Sequence, residues 1–462
     1  MKPGFRSVFS LILGLCLIFG ALCPRAAASD DRYWFRDPPP AEENDPSDPN
    51  AAQNITDYSL LDGFYGFYQC GFLFDGRTTA SEASVDSAEI TLKSDRDMGW
   101  LYLIFDELYG SYTLINNETG QEATCGDSGF LHEAVDLTAL FGGPVNSLTL
   151  RFSRGPVRLC ELSVFTPGYL PGYVQVWEPA KEKQTDLILF STHGDDDQLF
   201  FAGLLPYYCA LDYEVLVVYM SDHRNCHTVR VHEMLDGLWA AGVRTYPVLG
   251  SFPDYPVDTL SGAYAFFEFF GLTRDDLIEF ILTQLRRYQP LVVVGHDFYG
   301  EYGHGQHMAY AECLAEALEL SGDPSRYPEL AETYGVWEVP KAYFHLYQEN
   351  PIVMDWDTPM EELKGLTPFQ VSQLYAYPQH RSQQRSWVSN WINGRGFTVT
   401  RADEITSYSP CHYGLYRSTV GEDVAKNDFF ENLLSYAQQE EACKPPPIVY
   451  TELPDPPPRH LR

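Results

Sequence analysis

The pattern of apolar and polar positions changes character near the middle of the chain. Between Tyr58 and Pro179, short runs of β-branched and aromatic residues are cut by Gly, Asn and Asp, a pattern typical of antiparallel strands joined by turns. The clearest predicted strands there are Ala88–Leu92, Trp100–Phe105, Tyr112–Asn116, Ser147–Phe152 and Leu159–Phe165. Strands spaced in this way favour an all-β, sandwich-like accessory domain, which we place at residues 57–179.

After Gln184 the predicted strands alternate with predicted helices. The successive segments are Leu187–Ser191, Gln198–Leu211, Glu214–Met220, Thr228–Ala241, Asp275–Arg287, Leu291–Gly295, Gln306–Leu320, Ala342–Tyr347 and Pro368–Ile392. This alternation predicts an α/β domain over residues 184–440, with a Rossmann-like, mostly parallel sheet and flanking helices.

Three segments are predicted to lie outside the folded domains. Residues 1–28 have Lys2 and Arg6, then an apolar stretch and three alanines, which predicts a secretory signal peptide. An uncleaved anchor is the alternative, although the apolar stretch is shorter than the roughly 20 residues that cross a bilayer. Residues 29–56 are predicted to be a disordered linker, flexible or partly extended between 36 and 54, and residues 443–462 a proline-rich tail.

Composition narrows the possible partners and the compartment. With 462 residues the chain exceeds one ordinary core, and 45% hydrophobic content excludes global disorder. The formal net charge of −33 disfavours nucleic acid and anionic membranes as partners. We therefore expect a secreted, cell-surface or periplasmic protein with no integral membrane span after signal cleavage.

Eight cysteines would remain after signal cleavage, three in the first half of the chain and five in the second. They are Cys70, Cys125, Cys160, Cys209, Cys226, Cys313, Cys411 and Cys443. An oxidising compartment permits disulfides, but two odd counts prevent complete pairing within each half. Either one bridge joins the halves or free thiols remain.

The chemistry-bearing residues follow two of the predicted strands. His193-Gly194-Asp195-Asp196-Asp197 follows Leu187–Ser191, and Gly303-His304-Gly305-Gln306-His307 comes soon after Leu291–Gly295. Ligands of open α/β sheets gather at the carboxyl ends of strands, so the two segments are expected to converge. His193, Asp196 and His307 could then hold a metal ion with Asp195 free to act as a base.

Each segment taken alone has a structural explanation. The three aspartates could form a solvated acidic loop, or one could serve as a helix N-cap. A single His-x-x-His pair, as in His304 and His307, is a weak signal on its own. The metal hypothesis depends on the two segments occurring together at strand ends.

These residues resemble the PIG-L, or LmbE-like, zinc-dependent de-N-acetylases, which act on N-acetylglucosamine conjugates. The family's His-Pro-Asp-Asp-Glu turn is similar to His193–Asp197, and its Gly-His-Pro-Asp-His segment is similar to Gly303–His307. Its Arg-x-x-Glu helix and late His-x-Ser-Gln are similar to Arg230–Glu233 and His380–Gln383. The resemblance covers about residues 185–432.

The resemblance implies a role for each matching position. His193, Asp196 and His307 would bind Zn²⁺, or another divalent transition metal, and Asp195 would be the general base toward a metal-activated water. His304 would protonate the leaving amine or stabilise the oxyanion, and Tyr302 would polarise the acetyl carbonyl. Arg230 would order the site or contact substrate, while a structural pair with Glu233 is an equally open alternative.

Three positions depart from the family's pattern. Gly194 replaces proline, Asp197 replaces glutamate and Gln306 replaces aspartate. None of these changes removes a predicted ligand or the predicted base. The sequence therefore predicts a hydrolase that removes N-acetyl groups from N-acetylglucosamine-containing glycans or glycoconjugates. The alternatives are a non-catalytic glycan-binding surface protein that keeps the metal pocket, and an O-deacetylating esterase.

Overall fold

A computed structural model describes residues 36–62, 71–77, 84–85, 87–224, 228–384 and 387–443. The predicted signal peptide lies outside these ranges, as do residues 444–462 of the predicted tail and two of the cysteines, Cys70 and Cys226. Within the ranges, no helix has both the length and the apolar character that crossing a membrane would require.

The first part of the described chain forms two four-stranded antiparallel sheets. Their orders are β1-β8-β3-β6 and β2-β7-β4-β5. The elements are β1 Ser84–Val85, β2 Glu89–Met98, β3 Trp100–Phe105, β4 Tyr112–Asn116, β5 Glu122–Cys125, β6 His132–Asp136, α1 Leu137–Phe141, β7 Val145–Arg151 and β8 Val157–Phe165.

The second part is built around a seven-stranded sheet of order β11-β10-β9-β12-β13-β15-β14. Its strands are β9 Leu187–Ser191, β10 Val215–Ser221, β11 Val248–Phe252, β12 Val292–Gly295, β13 Lys341–His345, β14 Pro351–Val353 and β15 His412–Ser418. The strands from β11 to β13 are parallel, and β15 is antiparallel to both of its neighbours. The predicted mostly parallel α/β sheet is therefore confirmed.

Eleven helices of the described chain accompany this sheet. They are α2 Asp196–Leu199, α3 Leu204–Ala210, α4 Thr228–Ala240, α5 Leu260–Phe269, α6 Arg274–Tyr288, α7 Gly305–Leu320, α8 Pro328–Tyr334, α9 Pro368–Val371, α10 Arg381–Gln384, α11 Asn390–Asn393 and α12 Tyr436–Cys443.

The central strand β9 is buried on both faces, as expected for a parallel sheet covered by helices. Its residues alternate between two apolar clusters: Leu187 and Leu189 join one, whereas Ile188 and Phe190 join the other. The second cluster is completed by apolar side chains of α5, α6 and α7, such as Leu282. The strand is thus packed on both faces, which fixes the position of its carboxyl end.

The first cluster continues without interruption into the antiparallel sheets. Leu103, Leu150 and Leu162 belong to the same buried group as Leu189. The Tyr246 hydroxyl also accepts the Leu131 backbone N–H at 3.1 Å. The two antiparallel sheets therefore pack directly against the α/β layer and share its core.

Part of the predicted linker is packed, which corrects the expectation for residues 50–56. Ala52 is fully buried, and its N–H donates to the Tyr169 carbonyl at 2.9 Å. The Ile55 N–H donates to the Val164 carbonyl at 2.9 Å. Alanine side chains are small enough to lie against β8, and this backbone pairing leaves no trace in the composition of the segment.

Two predicted long helical stretches are interrupted. The stretch Gln198–Leu211 divides at Gly203, where φ is 94° and an added Cβ would lie 2.5 Å from the Trp356 ring. The stretch Pro368–Ile392 divides into α9, a π-helical turn at Ser372–Ala376 and several further short pieces. The second stretch contains Pro378, which lies in the 3-10 turn Tyr377–Gln379.

The cysteines whose pairing the structure describes are free thiols. They are Cys125, Cys160, Cys209, Cys313 and Cys411. Of the two alternatives left open by the sequence, free thiols hold for these five.

Candidate metal and catalytic site

The predicted site residues meet where the strand order reverses. The chain runs outward from β9 through β10 to β11, then returns to place β12 on the other side of β9. The first histidine segment follows β9 and the second follows β12, so both lie at this switch point. Asp254 follows β11 and His345 ends β13, which brings side chains from further strand ends to the same edge of the sheet.

His193, Asp196 and His307 present three ligand atoms to one another. His193 Nδ1 lies 2.8 Å from Asp196 Oδ2 and 3.2 Å from His307 Nε2, and the remaining distance, His307 Nε2 to Asp196 Oδ2, is 3.1 Å. Tetrahedral zinc with bonds of about 2.1 Å separates its ligand atoms by roughly 3.4 Å. The three atoms are therefore spaced nearly as one face of such a site requires.

Two overlapping groups of buried side chains have ligand atoms within 4.8 Å of one another. One is His193, His304 and His307, and the other is Asp196, His296 and His307. Of these, His296 is committed elsewhere, because its Nε2 accepts the Thr192 backbone N–H at 3.0 Å. The donor set left for a divalent cation is rich in imidazole and contains one carboxylate, which suits zinc.

The electrostatics around these atoms favour a cation. Burial would lower the pKa of His307, but the Asp196 and Glu301 carboxylates raise it to about 10. Burial would likewise raise the pKa of Asp196, but the imidazoles of His307 and His193 hold it well below its usual range. The Asp196 and Glu301 carboxylates therefore supply the negative charge beside which a cation would bind.

Each proposed imidazole ligand is oriented through its other ring nitrogen. His193 Nε2 lies 3.1 Å from Gln306 Oε1 and 3.3 Å from Asp254 Oδ1. His307 Nδ1 lies 2.6 Å from Glu301 Oε2. Acceptors at these positions keep the proton on the outer nitrogen and leave the inner one free to bind a metal.

Gln306 retains an orienting role although it departs from the family's aspartate. Its Oε1 also accepts the Tyr255 backbone N–H at 3.1 Å, and its Nε2 donates to the Pro253 carbonyl at 2.7 Å. The Asp254 carboxylate supplies a negative charge beside the same face of His193. The charge absent from position 306 is therefore present on a neighbouring loop.

Asp195 is buried and paired with a cation. Arg230 Nη2 donates to Asp195 Oδ1 at 2.9 Å, while Nη1 of the same guanidinium donates to Asp254 Oδ2 at 2.5 Å. Burial raises the pKa of Asp195, and the Arg230 charge offsets only part of this effect. Arg230 thus fixes the position of the predicted base and links it to Asp254.

Arg230 and Glu233 use different partners, so the open alternative of a mutual pair is not what orders them. Glu233 accepts the Ser382 backbone N–H at 2.8 Å and its hydroxyl at 2.6 Å. This contact joins the helix α4 motif to the late His380–Gln383 motif. Burial lowers the pKa of His380 to about 3, so this side chain is neutral.

His304 and Tyr302 lie in the tight loop before α7. His304 Nδ1 accepts the Gln306 N–H at 3.2 Å, which places its ring proton on Nε2. Tyr302 has φ 51°, unusual for a bulky side chain and flanked by Gly300 and Gly303 at 65° and 78°. Such strain persists only where packing enforces it, here by stacking of Tyr302 on Trp391 at 4.6 Å.

The two remaining departures from the family's pattern have different consequences. A Cβ added at Gly194 would lie 3.4 Å from Met234, an ordinary contact, so the space there does not demand glycine. Burial raises the pKa of Asp197 to about 8, which leaves this carboxyl protonated at neutral pH. Asp197 therefore adds no charge to the site.

Sequence reasoning assigned no role to Asp254, His296, Glu301 or His345. His296 and Glu301 are near the second segment, and their position just after a buried strand is the signal that could have identified them. Asp254 and His345 lie far from both segments in sequence. Only the order of the strands in the sheet brings them to the site.

The region that holds these side chains matches a known protein family. Residues 188–318 match the family model described as PIG-L, GlcNAc-PI de-N-acetylase. This range contains every residue predicted to bind metal or to act in catalysis.

Curated relatives match over limited stretches. A 1D-myo-inositol 2-acetamido-2-deoxy-alpha-D-glucopyranoside deacetylase 2 of Saccharopolyspora erythraea is 36% identical over 98 residues, 21% of this chain and 34% of that protein. The corresponding deacetylase of Geodermatophilus obscurus is 30% identical over 25% of this chain and 39% of that protein. The matches thus span between a third and two fifths of these two relatives.

Among solved structures, N,N'-diacetylchitobiose deacetylase from Pyrococcus horikoshii is similar at 14% identity and a TM-score of 0.32. The match covers 51% of this chain and 83% of that one. A TM-score this low does not establish a shared fold.

Proposed function

We propose that this protein with a PIG-L domain is a secreted, zinc-dependent hydrolase that removes N-acetyl groups from N-acetylglucosamine-containing glycans or glycoconjugates. The observation that carries the proposal is the convergence of His193, Asp196 and His307 beside Asp195 at the switch point of the sheet. The deacetylase names of the curated relatives support the reaction class. Secretion rests on the sequence of residues 1–28.

The residues that would hold zinc are His193, Asp196 and His307, because their ligand atoms fit one face of a tetrahedral site. A zinc ion held there supplies Lewis-acid chemistry, acidifying water and polarising a carbonyl oxygen. Gln306 and Glu301 keep the imidazole ligands in the required tautomers.

Asp195 acts as the general base. Arg230 engages its Oδ1, so Oδ2 is the oxygen that receives a proton from the water attacking the acetyl carbon. The bond between the acetyl carbon and the sugar nitrogen then breaks, and that nitrogen takes up the proton. The products are acetate and a free amine.

His304 and Tyr302 stabilise the oxyanion that forms on the acetyl carbonyl. His304 is neutral with its proton on Nε2, so it offers a hydrogen bond rather than a formal charge. The pKa of Tyr302 is raised well above its usual value by burial and by Asp196 and Asp195, so its hydroxyl stays protonated as a donor. Preorganised donors of this kind lower the barrier of acyl transfer.

Residues 57–179 are proposed to be a sandwich-like accessory domain, either glycan-binding or purely structural. The two antiparallel sheets and their shared buried leucines support the architecture.

The reaction is tested by measuring acetate and free amine from a panel of N-acetylglucosamine conjugates, with O-acetyl esters alongside. We expect release from N-acetyl substrates, loss after chelation and recovery on addition of zinc. Release from esters alone would establish an esterase instead. Glycan binding without any release would establish the non-catalytic alternative.

A further inference from the structure

The loop between β12 and α7 buries a carboxylate that the proposed reaction does not use directly. Glu301 is 0% exposed, and its oxygens lie near three imidazoles. Its Oε2 is 2.8 Å from His296 Nδ1 and 2.6 Å from His307 Nδ1, while Oε1 is 2.7 Å from His345 Nδ1. Oε1 also accepts the Asp297 backbone N–H at 3.2 Å.

The hydrogen-bond partners of each ring nitrogen determine which nitrogen carries the proton. His296 Nε2 accepts the Thr192 N–H, so its proton is on Nδ1 and is donated to Glu301. Apart from His307, the imidazoles of His296 and His345 and the Asp297 backbone N–H also reach this carboxylate. Glu301 therefore acts as the shared acceptor for these groups.

His345 contacts the second oxygen of this carboxylate. Its Nε2 lies 2.9 Å from the Ser409 carbonyl oxygen, which can only accept. Its Nδ1 faces the Glu301 carboxylate at 2.7 Å, which also accepts. His345 thus bridges the Ser409 carbonyl and the Glu301 carboxylate, which fixes the position of Glu301.

We propose that Glu301 is a positioning residue for His307, and that His296 and His345 hold the Glu301 carboxylate in place through hydrogen bonds. Glu301 holds the proton of His307 on Nδ1 and thereby directs the Nε2 lone pair toward Asp196 and His193. Since it is fully buried behind His307, it touches neither substrate nor reacting atoms. This inference rests on the proposed metal-dependent function.

A purely structural role for Glu301 makes a different prediction, and a buried ion pair elsewhere in the chain provides the comparison. Lys341 Nζ lies 2.5 Å from Asp423 Oδ1, both side chains are nearly fully buried, and Asp423 also accepts the Tyr343 hydroxyl. Asp423→Asn should cost stability and leave metal affinity unchanged. Glu301→Gln should weaken metal binding even where its stability equals that of Asp423→Asn.

The test is the Zn²⁺ affinity of full-length wild type, Glu301→Gln, Glu301→Asp and Asp423→Asn, measured by competition with a chromogenic chelator, with urea unfolding of each metal-free protein. We expect Glu301→Gln to bind Zn²⁺ 10- to 100-fold more weakly, roughly the effect of losing such an acceptor. Glu301→Asp, shorter by one methylene, should also be weakened and provides the measurement if Glu301→Gln does not fold.

Affinities of both Glu301 variants within twofold of wild type would overturn the inference while leaving the proposed function intact. An equal loss in Asp423→Asn would also overturn it, because the effect would then follow stability. Absence of Zn²⁺ binding by wild type would instead reject the proposed function itself.

Discussion

His132 Nε2 lies 2.8 Å from His232 Nδ1, and this contact joins the antiparallel sheets to helix α4. The surrounding groups determine which of the two histidines donates in this hydrogen bond. Gln175 Nε2 donates to Asp236, so Gln175 Oε1 faces His132 Nδ1 at 2.8 Å as an acceptor. His132 Nε2 must then accept a proton donated by His232, and both histidines are neutral.

Acid should therefore weaken the join between the two parts. Burial lowers the pKa of His232 to about 4 and that of His132 well below its usual value. Between about pH 6.5 and 4 the unfolded chain binds protons that the folded chain does not, so stability falls as pH falls. The slope should reach about 1.4 kcal/mol per pH unit for each histidine.

Urea unfolding of wild type and His232→Gln across this pH range measures the effect. The variant should show a shallower dependence on pH than wild type. His412→Gln, at an exposed position, serves as the matched control and should keep the wild-type slope. Equal slopes in wild type and His232→Gln would contradict the assignment.

Arg230→Gln should destabilise the protein by about 3–5 kcal/mol, because Asp195 and Asp254 would lose their shared buried counter-ion. Arg230→Lys keeps the charge but lacks the guanidinium that reaches both carboxylates, so the loss of stability should be smaller. Chemical denaturation measures both variants, with the exposed Arg381→Gln as control. Wild-type stability in Arg230→Gln would show that the guanidinium is not the group that balances these carboxylates.

Tyr302→Phe should lower kcat by about 10²-fold with a smaller change in KM, since the lost hydroxyl acts mainly on the developing oxyanion. The ring and its stacking on Trp391 are kept, so thermal stability should change little. Steady-state kinetics with an N-acetylglucosamine conjugate and a melting curve provide the two readouts. An unchanged kcat would remove Tyr302 from the proposed mechanism.

The local sequence pattern was sufficient to predict elements whose structure depends mainly on their own residues. The run Leu187–Ser191 is a strand over the predicted residues, and helix α4 ends within one residue of its prediction. Placement of both histidine segments after strands then predicted their convergence. The strand ends needed for that prediction are local features of the chain.

Residues that act through long-range contacts were not predictable in the same way. Asp254 and His345 reach the site only because β11 and β13 occupy particular places in the sheet. The composition of residues 50–56 predicts a spacer. These residues nevertheless pair with β8 through backbone groups that every residue possesses. Similarly, the lack of space for a side chain at Gly203 is due to Trp356, more than a hundred residues away.

The most direct test of the central claim compares metal content and acetate release in wild type and Asp195→Asn. The asparagine keeps the shape of the side chain but cannot accept a proton as the carboxylate does. Glu161→Gln, which makes the same carboxyl-to-amide change at a buried position in β8, is the matched control and should retain activity. We predict stoichiometric zinc in all three proteins and acetate release lost only in Asp195→Asn. Undiminished acetate release by Asp195→Asn with zinc bound would contradict the account.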